Sequence, residues 1–296
     1  MTSTSQVKHS ENTDESMEVS YATPRTLIEL GLTVLAFLML GIAILPLGLV
    51  LGYVIIRGGS RINLELFTGQ IPVALQEGGG IGAAIVGTLM VVGIASILSI
   101  PFGVLAAIYL SEFSSGTIVK WIRFATNVLS GVPSIIVGLF AYGVVVATTN
   151  EFSAVAGGFA LAVLMLPIVV RTADEALQLV PQEVRWASTG VGASNFQTVL
   201  QVVLPSAMGA IITGTTLAIA RAAGETAPLI FTVLFSNFWP PSIWYPIPTL
   251  SVLVYKFATV PYENQQEVAW AASLILVLLV LITSILSRLA ALKSTY

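Results

Sequence analysis

Arg221 and Glu225 are the only charges in the apolar stretch 204–235. Four residues apart, they share one face of a helix about a turn from each other and can neutralise one another. Arginine's planar fork also offers two parallel donors to an oxyanion, and a neighbouring carboxylate competes for that fork and keeps capture reversible. This predicts non-covalent handling of an anion, with Arg221 contacting or guiding it and Glu225 tuning the contact. An arginine at the centre of a membrane span costs about 2.5–3.5 kcal/mol on insertion scales, so its presence demands compensation or water. The competing reading is a pair that only locks two helices together, although buried ion pairs stabilise poorly compared with apolar packing. Thr226 is a third pathway candidate, whose commoner use is helix packing. Gly224 leaves room for close backbone approach and Pro228 is expected to kink the helix, so the two form a hinge. Arg171, after Met165-Leu-Pro167, is a further pathway candidate, with an ordinary positive-inside anchor as its alternative.

The elements that hold these side chains must be membrane helices. Of 296 residues, 56% are hydrophobic and 9% charged, against roughly 25% charged in a soluble domain. A bilayer solvates the apolar faces that so few charges cannot cover. Crossing a 30 Å hydrocarbon layer takes roughly 20 helical residues. Runs that meet this test lie at 30–56, 78–111, 124–150, 152–170, 204–235 and 268–287. The predicted fold class is therefore an all-α, polytopic membrane protein of about six transmembrane helices. Glu151 is the only charge between the third and fourth runs, which requires a tight antiparallel hairpin.

Residues 1–26 are rich in Ser, Thr and Glu and are predicted to be a disordered cytoplasmic tail; residues 27–296 form the membrane domain. With the amino terminus inside, Lys8, Arg25, Lys120, Arg123, Arg171, Arg185, Arg288 and Lys293 are cytoplasmic, against Arg57, Arg61 and Lys256 outside. That bias places both termini in the cytoplasm. The stretch 236–264 becomes an external loop whose Trp239, Trp244, Tyr245, Tyr255 and Tyr262 suit an interfacial belt.

Several functions are excluded. A net charge of −3 without a basic block argues against nucleic acid. The chain has no cysteine and a single histidine, His9, so no metal site is expected. No Gly-Lys dipeptide occurs, hence no Walker A loop, and uphill transport would need a partner's energy. No nucleophile stands beside a base, so the chain is not expected to be an enzyme.

Residues 172–205 hold no membrane-length run and carry a specific local grammar. Pro181 suits the first turn of a helix, Glu183 lies near its positive end, and Gly190 or Gly192 offers a left-handed terminator. Leu177, Val180, Val184, Ala187 and Val191 recur at helical spacing and predict one apolar face. Ser194 and Gln197 have capping-box spacing and predict a second short helix that stops near Pro205. Periodicity alone leaves open an amphipathic linker on the membrane surface. The string Trp186-Ala-Ser-Thr-Gly-Val-Gly192, then nine residues, then Val202-Val-Leu-Pro205, resembles the ATPase-docking EAA loop of ABC importer permeases. Gly192, Leu204 and Pro205 match that pattern; Trp186 stands where the family usually has glutamate and Ser188 where it often has alanine, with Ala187 between them and Arg185 as the adjacent charge.

The likeness extends along the spans. Ile100-Pro-Phe-Gly-Val-Leu-Ala-Ala-Ile-Tyr-Leu-Ser-Glu112, Ser130-Gly-Val-Pro-Ser-Ile-Ile-Val-Gly138 and Ala218-Ile-Ala-Arg-Ala-Ala-Gly-Glu-Thr-Ala-Pro-Leu229 resemble the PstA-type permeases of bacterial phosphate ABC importers, in the binding-protein-dependent transport permease family. The resemblance implies a type I importer permease in the bacterial cytoplasmic (inner) membrane, with 172–205 as its coupling-helix loop. It also implies an ATP-binding subunit dimer, a second homologous permease of PstC type, an extracytoplasmic phosphate-binding protein that the external aromatic loop can contact, and surrounding membrane lipid. No cofactor is expected on this chain, ATP and Mg being held by the ATPase. A permease for molybdate or sulfate, or a proton-coupled transporter using Arg221 and Glu225 as a titrating pair, remains open at this point.

Overall fold

The computed structural model describes residues 24–293, and contacts divide the chain into one unit ending at Gly52 and another beginning at Tyr53. Most of the tail expected over 1–26 lies outside the described residues. Residues 24–26 instead open the first helix, α1 (Pro24–Gly59), where Pro24 occupies a first-turn position that needs no N–H. From Leu27 to Val50 its large apolar side chains are exposed. A helix apolar all round is solvated by hydrocarbon, and 36 residues extend about 54 Å, ample for a bilayer.

In the second unit, the end of α1 packs on the last helix through a T-shaped pair, Tyr53 with Trp270, at 4.9 Å. The short α2 (Leu64–Thr68) is capped by Asn63, and the segment after it is tied to residues 264 and 265: the Asn264 amide donates to Gln76 O at 2.6 Å and that of Gln265 to Pro72 O at 3.0 Å. Then come α3 (Gly82–Ile108) with a π-helical turn, Tyr109–Phe113; α4 (Thr117–Ser130); and α5 (Ser134–Ala141), continued by a second π turn, Tyr142–Val146, into α6 (Ala147–Thr149). The central helix is α7 (Ala154–Gln178).

Helix direction follows from contact register. Ile94 of α3 lies against Gly158 of α7 and Gly103 against Val169, so these two spans run parallel. The chain between them must therefore recross the layer. It does so through α4 and α5–α6, which meet at a 100° bend. The continuous span expected at 124–150 is thus corrected to a broken one, because Gly131-Val-Pro133 stops the helix at Ser130 and Pro133 caps α5 without continuing α4. The expected hairpin forms beyond it: Asn150 takes a left-handed cap at φ 57°, and the Ser153 hydroxyl accepts the Ala156 N–H to start α7.

After α7 come α8 (Gln182–Gly190) and α9 (Asn195–Thr198), a third π turn, Val199–Val203, and α10 (Leu204–Gly224). The short α11 (Ala227–Ile230), then α12 (Leu250–Ala258) and α13 (Glu263–Lys293) complete the unit. Thr216 and Ser287 pair through their hydroxyls while Gly209 faces Ala291, so α10 and α13 are antiparallel. Among the described residues there is no strand. The stretch 236–264 is not simply an external loop: α12 buries Leu250, Leu253 and Phe257 in a core shared with α3 and α13.

Candidate translocation face and docking loop

The charged pair sits at a break. The run expected to continue to residue 235 ends at Gly224, and Glu225 is extended (φ −71°, ψ 131°). The cause lies ahead, where Pro228 occupies the second position of α11, tolerated there because a first-turn N–H has no helical partner. Pro228 is therefore a start signal and not a kink within one helix. Gly224 is exposed and a Cβ there would meet nothing within 4 Å, which corrects the close approach expected of it. The close approach belongs to Gly138 of α5, where a Cβ would lie 2.6 Å from the Pro228 Cα. The Ser251 hydroxyl of α12 fixes the break from another side by donating to Glu225 O at 2.9 Å. Thr226 precedes α11, its carbonyl accepting the Leu229 and Ile230 N–H groups.

Across the break the two charges still meet, Arg221 Nε lying 3.6 Å from Glu225 Oε1. The Arg221 side chain is 59% exposed and Glu225 18%. That separation is an ionic contact and not a hydrogen bond, so the guanidinium fork stays open to another acceptor.

Arg171 stands elsewhere, paired with Glu175 at 2.8 Å on an exposed face of α7. Beside it the Arg123 guanidinium donates to both carboxylate oxygens of the buried Asp174, at 2.7 and 2.8 Å. The four charges line a cavity of about 240 Å³ with Thr126, Asn127 and Gln178. Asp174 was not singled out from sequence, since its partner lies 51 residues earlier.

The loop from 179 to 203 follows its local grammar. Pro181 caps α8, Gly192 takes φ +95°, and Ser194 and Gln197 form both bonds of a capping box. Two expectations are corrected. The second helix does not stop near Pro205: the π turn, in which Leu204 N–H reaches back to Val199 O, carries it into α10 and absorbs the bond that proline cannot make. The apolar face splits at Pro181, with Leu177 and Val180 buried while Ala187 and Val191 are exposed. Trp186 is 65% exposed. Ser188 joins α8 to α9 through a 2.9 Å contact with Thr198. Arg185 turns inward to Glu112, an acid at the far end of the α3 run.

Residues 99–293 match the family of binding-protein-dependent transport system inner membrane components. The chain belongs to that family. Among its relatives, the phosphate transport system permease protein PstA of Yersinia pestis is 40% identical over 233 residues, 78% of this chain and 79% of the relative. PstA of Haemophilus influenzae is 39% identical, covering 79% and 83%, and PstA 1 of Mycobacterium tuberculosis H37Rv 36%, covering 81% and 79%. The fold is that of solved ABC transporters. A chain of a bacterial alginate transporter superposes with TM-score 0.61 at 13% identity, over 91% of this chain and 94% of its own. One from the methionine transporter MetNI gives 0.60 at 17%, over 72% and 95%.

Proposed function

We infer that this chain is the membrane conduit of an ATP-driven phosphate importer, working beside a second homologous permease and receiving phosphate from an extracytoplasmic binding protein. One observation carries the reading: a transmembrane arginine, Arg221, that is 59% exposed on its own chain and loosely held by Glu225 at 3.6 Å. Such a charge facing lipid would be costly, whereas facing a water-lined passage shared with a partner it meets an anion with its fork free. The names of the relatives agree with phosphate as that anion.

The energy comes from an ATPase dimer that holds ATP and Mg²⁺ and docks on the loop 172–205, which marks the cytoplasmic side. Trp186 and Val191 offer the apolar docking contact, with Ala187 and Ser188 beside them on α8. Gly192 sets the turn, and Leu204 and Pro205 root the loop in α10. Lys120, Arg123, Arg171 and Arg185 gather on this side, so both termini are cytoplasmic. Arg171, exposed beside the cavity, then serves near the exit of the pathway, and Thr226 lines the break.

Reconstitution in vesicles with the two permeases, the ATPase and the binding protein tests the reading. Phosphate should accumulate only with hydrolysable ATP, and unlabelled phosphate should compete better than sulfate or molybdate. Accumulation without a nucleotide would overturn it.

A further inference from the structure

The end of the α3 run, the end of α7 and the start of α8 meet at one side chain. Arg185 Nη2 donates to Glu112 Oε1 at 2.8 Å and Nε to Oε2 at 3.2 Å, reaching the π turn after α3. The same guanidinium donates to Leu177 O at 2.9 Å, a carbonyl that also accepts the Val180 N–H, and to Val180 O, so it caps the end of α7. The pair is enclosed, with 15% of the Arg185 side chain and 7% of Glu112 exposed. A forked, always-charged group with five donors can bind three elements at once, which lysine cannot do in this geometry.

We propose that Arg185 is the joint through which displacement of α8 is carried into the parallel spans α3 and α7, with Glu112 as its attachment to α3. Arg185 is then a positioning residue that acts through the spans and touches no anion. The proposal rests on the ATP-driven reading. Buried ion pairs contribute little net stability relative to apolar packing, so fold stability alone is a weak reason for one here. A linkage that must not slip between two spans and a moving loop is a stronger one. Replacing Glu112 by glutamine removes the charge and one of the two acceptor oxygens that tie Arg185 to α3, while leaving the carbonyl bonds to α7 in place.

The test uses the complete importer in vesicles, with assembled complex quantified by co-purification and with phosphate uptake and ATP hydrolysis measured on the same preparation. For Glu112→Gln, uptake per ATP should fall about tenfold while hydrolysis stays close to wild type. Glu112→Asp, with the charge kept on a shorter arm, should recover part of the coupling. Loss of assembled complex, a proportional fall in uptake and hydrolysis, or unchanged coupling would each overturn the joint. Failure of the wild-type importer to concentrate phosphate on ATP would instead overturn the transport reading itself.

Discussion

A guanidinium carries five N–H donors, and one ionic contact with Glu225 leaves most of them for a visiting oxyanion. Arg221→Gln keeps much of the side chain's length and polarity but removes the charge. Phosphate uptake at matched membrane abundance is expected to fall about tenfold or more, equivalent to about 1.4 kcal/mol of lost barrier stabilisation; normal uptake would exclude Arg221 from the pathway. The Arg123–Asp174 pair answers to a different measurement. Asp174 is buried and doubly bonded, while Arg123 is partly open, so Asp174→Ala should lower unfolding stability by about 1–2 kcal/mol. Arg171→Gln, at a pair exposed on both sides, should leave the thermal midpoint in detergent unchanged. Much at this scale was legible: Arg221 and Glu225 stood out as charges in an apolar run. Glu112 and Asp174 did not, because what distinguishes them is a partner 73 or 51 residues away.

Elements were legible where their signals are local. Asn195 follows Ser194 and precedes Gln197, and that spacing alone specifies the capping box; Pro181 likewise fixes the start of α8. The break at 131–133 was hidden inside an apolar run of the right total length, whereas that at 225–226 falls within the hinge expected of Gly224 and Pro228 but is a full stop and restart, not a kink. Their shape depends on packing from elsewhere, above all Gly138 against Pro228. Helix α12 was missed because nine residues are too few to span a bilayer and lie between proline- and aromatic-rich stretches. Two glycines separate the roles of packing and bending. Gly138→Leu should force α5 from α11 at a cost of about 1–3 kcal/mol, read as a lower thermal midpoint and lost uptake. Gly224→Ala, which meets open space at the end of α10, should preserve both; loss of uptake with unchanged stability would restore the hinge at 224.

For the molecule as a whole, the docking loop and the Arg221 break lie at opposite ends of α10, about 25 Å apart along its axis. In the proposed importer, work delivered at one end must reach the other through helices. If Trp186 is a docking anchor, Trp186→Ala should weaken association with the ATPase by about 2 kcal/mol, roughly thirtyfold. Titration of labelled ATPase against permease in nanodiscs would measure it, and unchanged affinity would remove Trp186 from the contact. The π turn at Val199–Val203 sets one more property of this axis. Leu204 bonds five residues back, so the turn holds a residue more than an α ladder needs. Each helical residue advances the azimuth by about 100°. Wound as an unbroken α-helix, the same residues would leave the length of α10 almost untouched yet swing Arg221 by about 100° around its axis relative to α8 and α9; the bulge absorbs that turn. On the reading proposed above, the compass bearing from which Arg221 meets an anion is thus written at the root of the docking loop, at the other end of α10 from the charge itself.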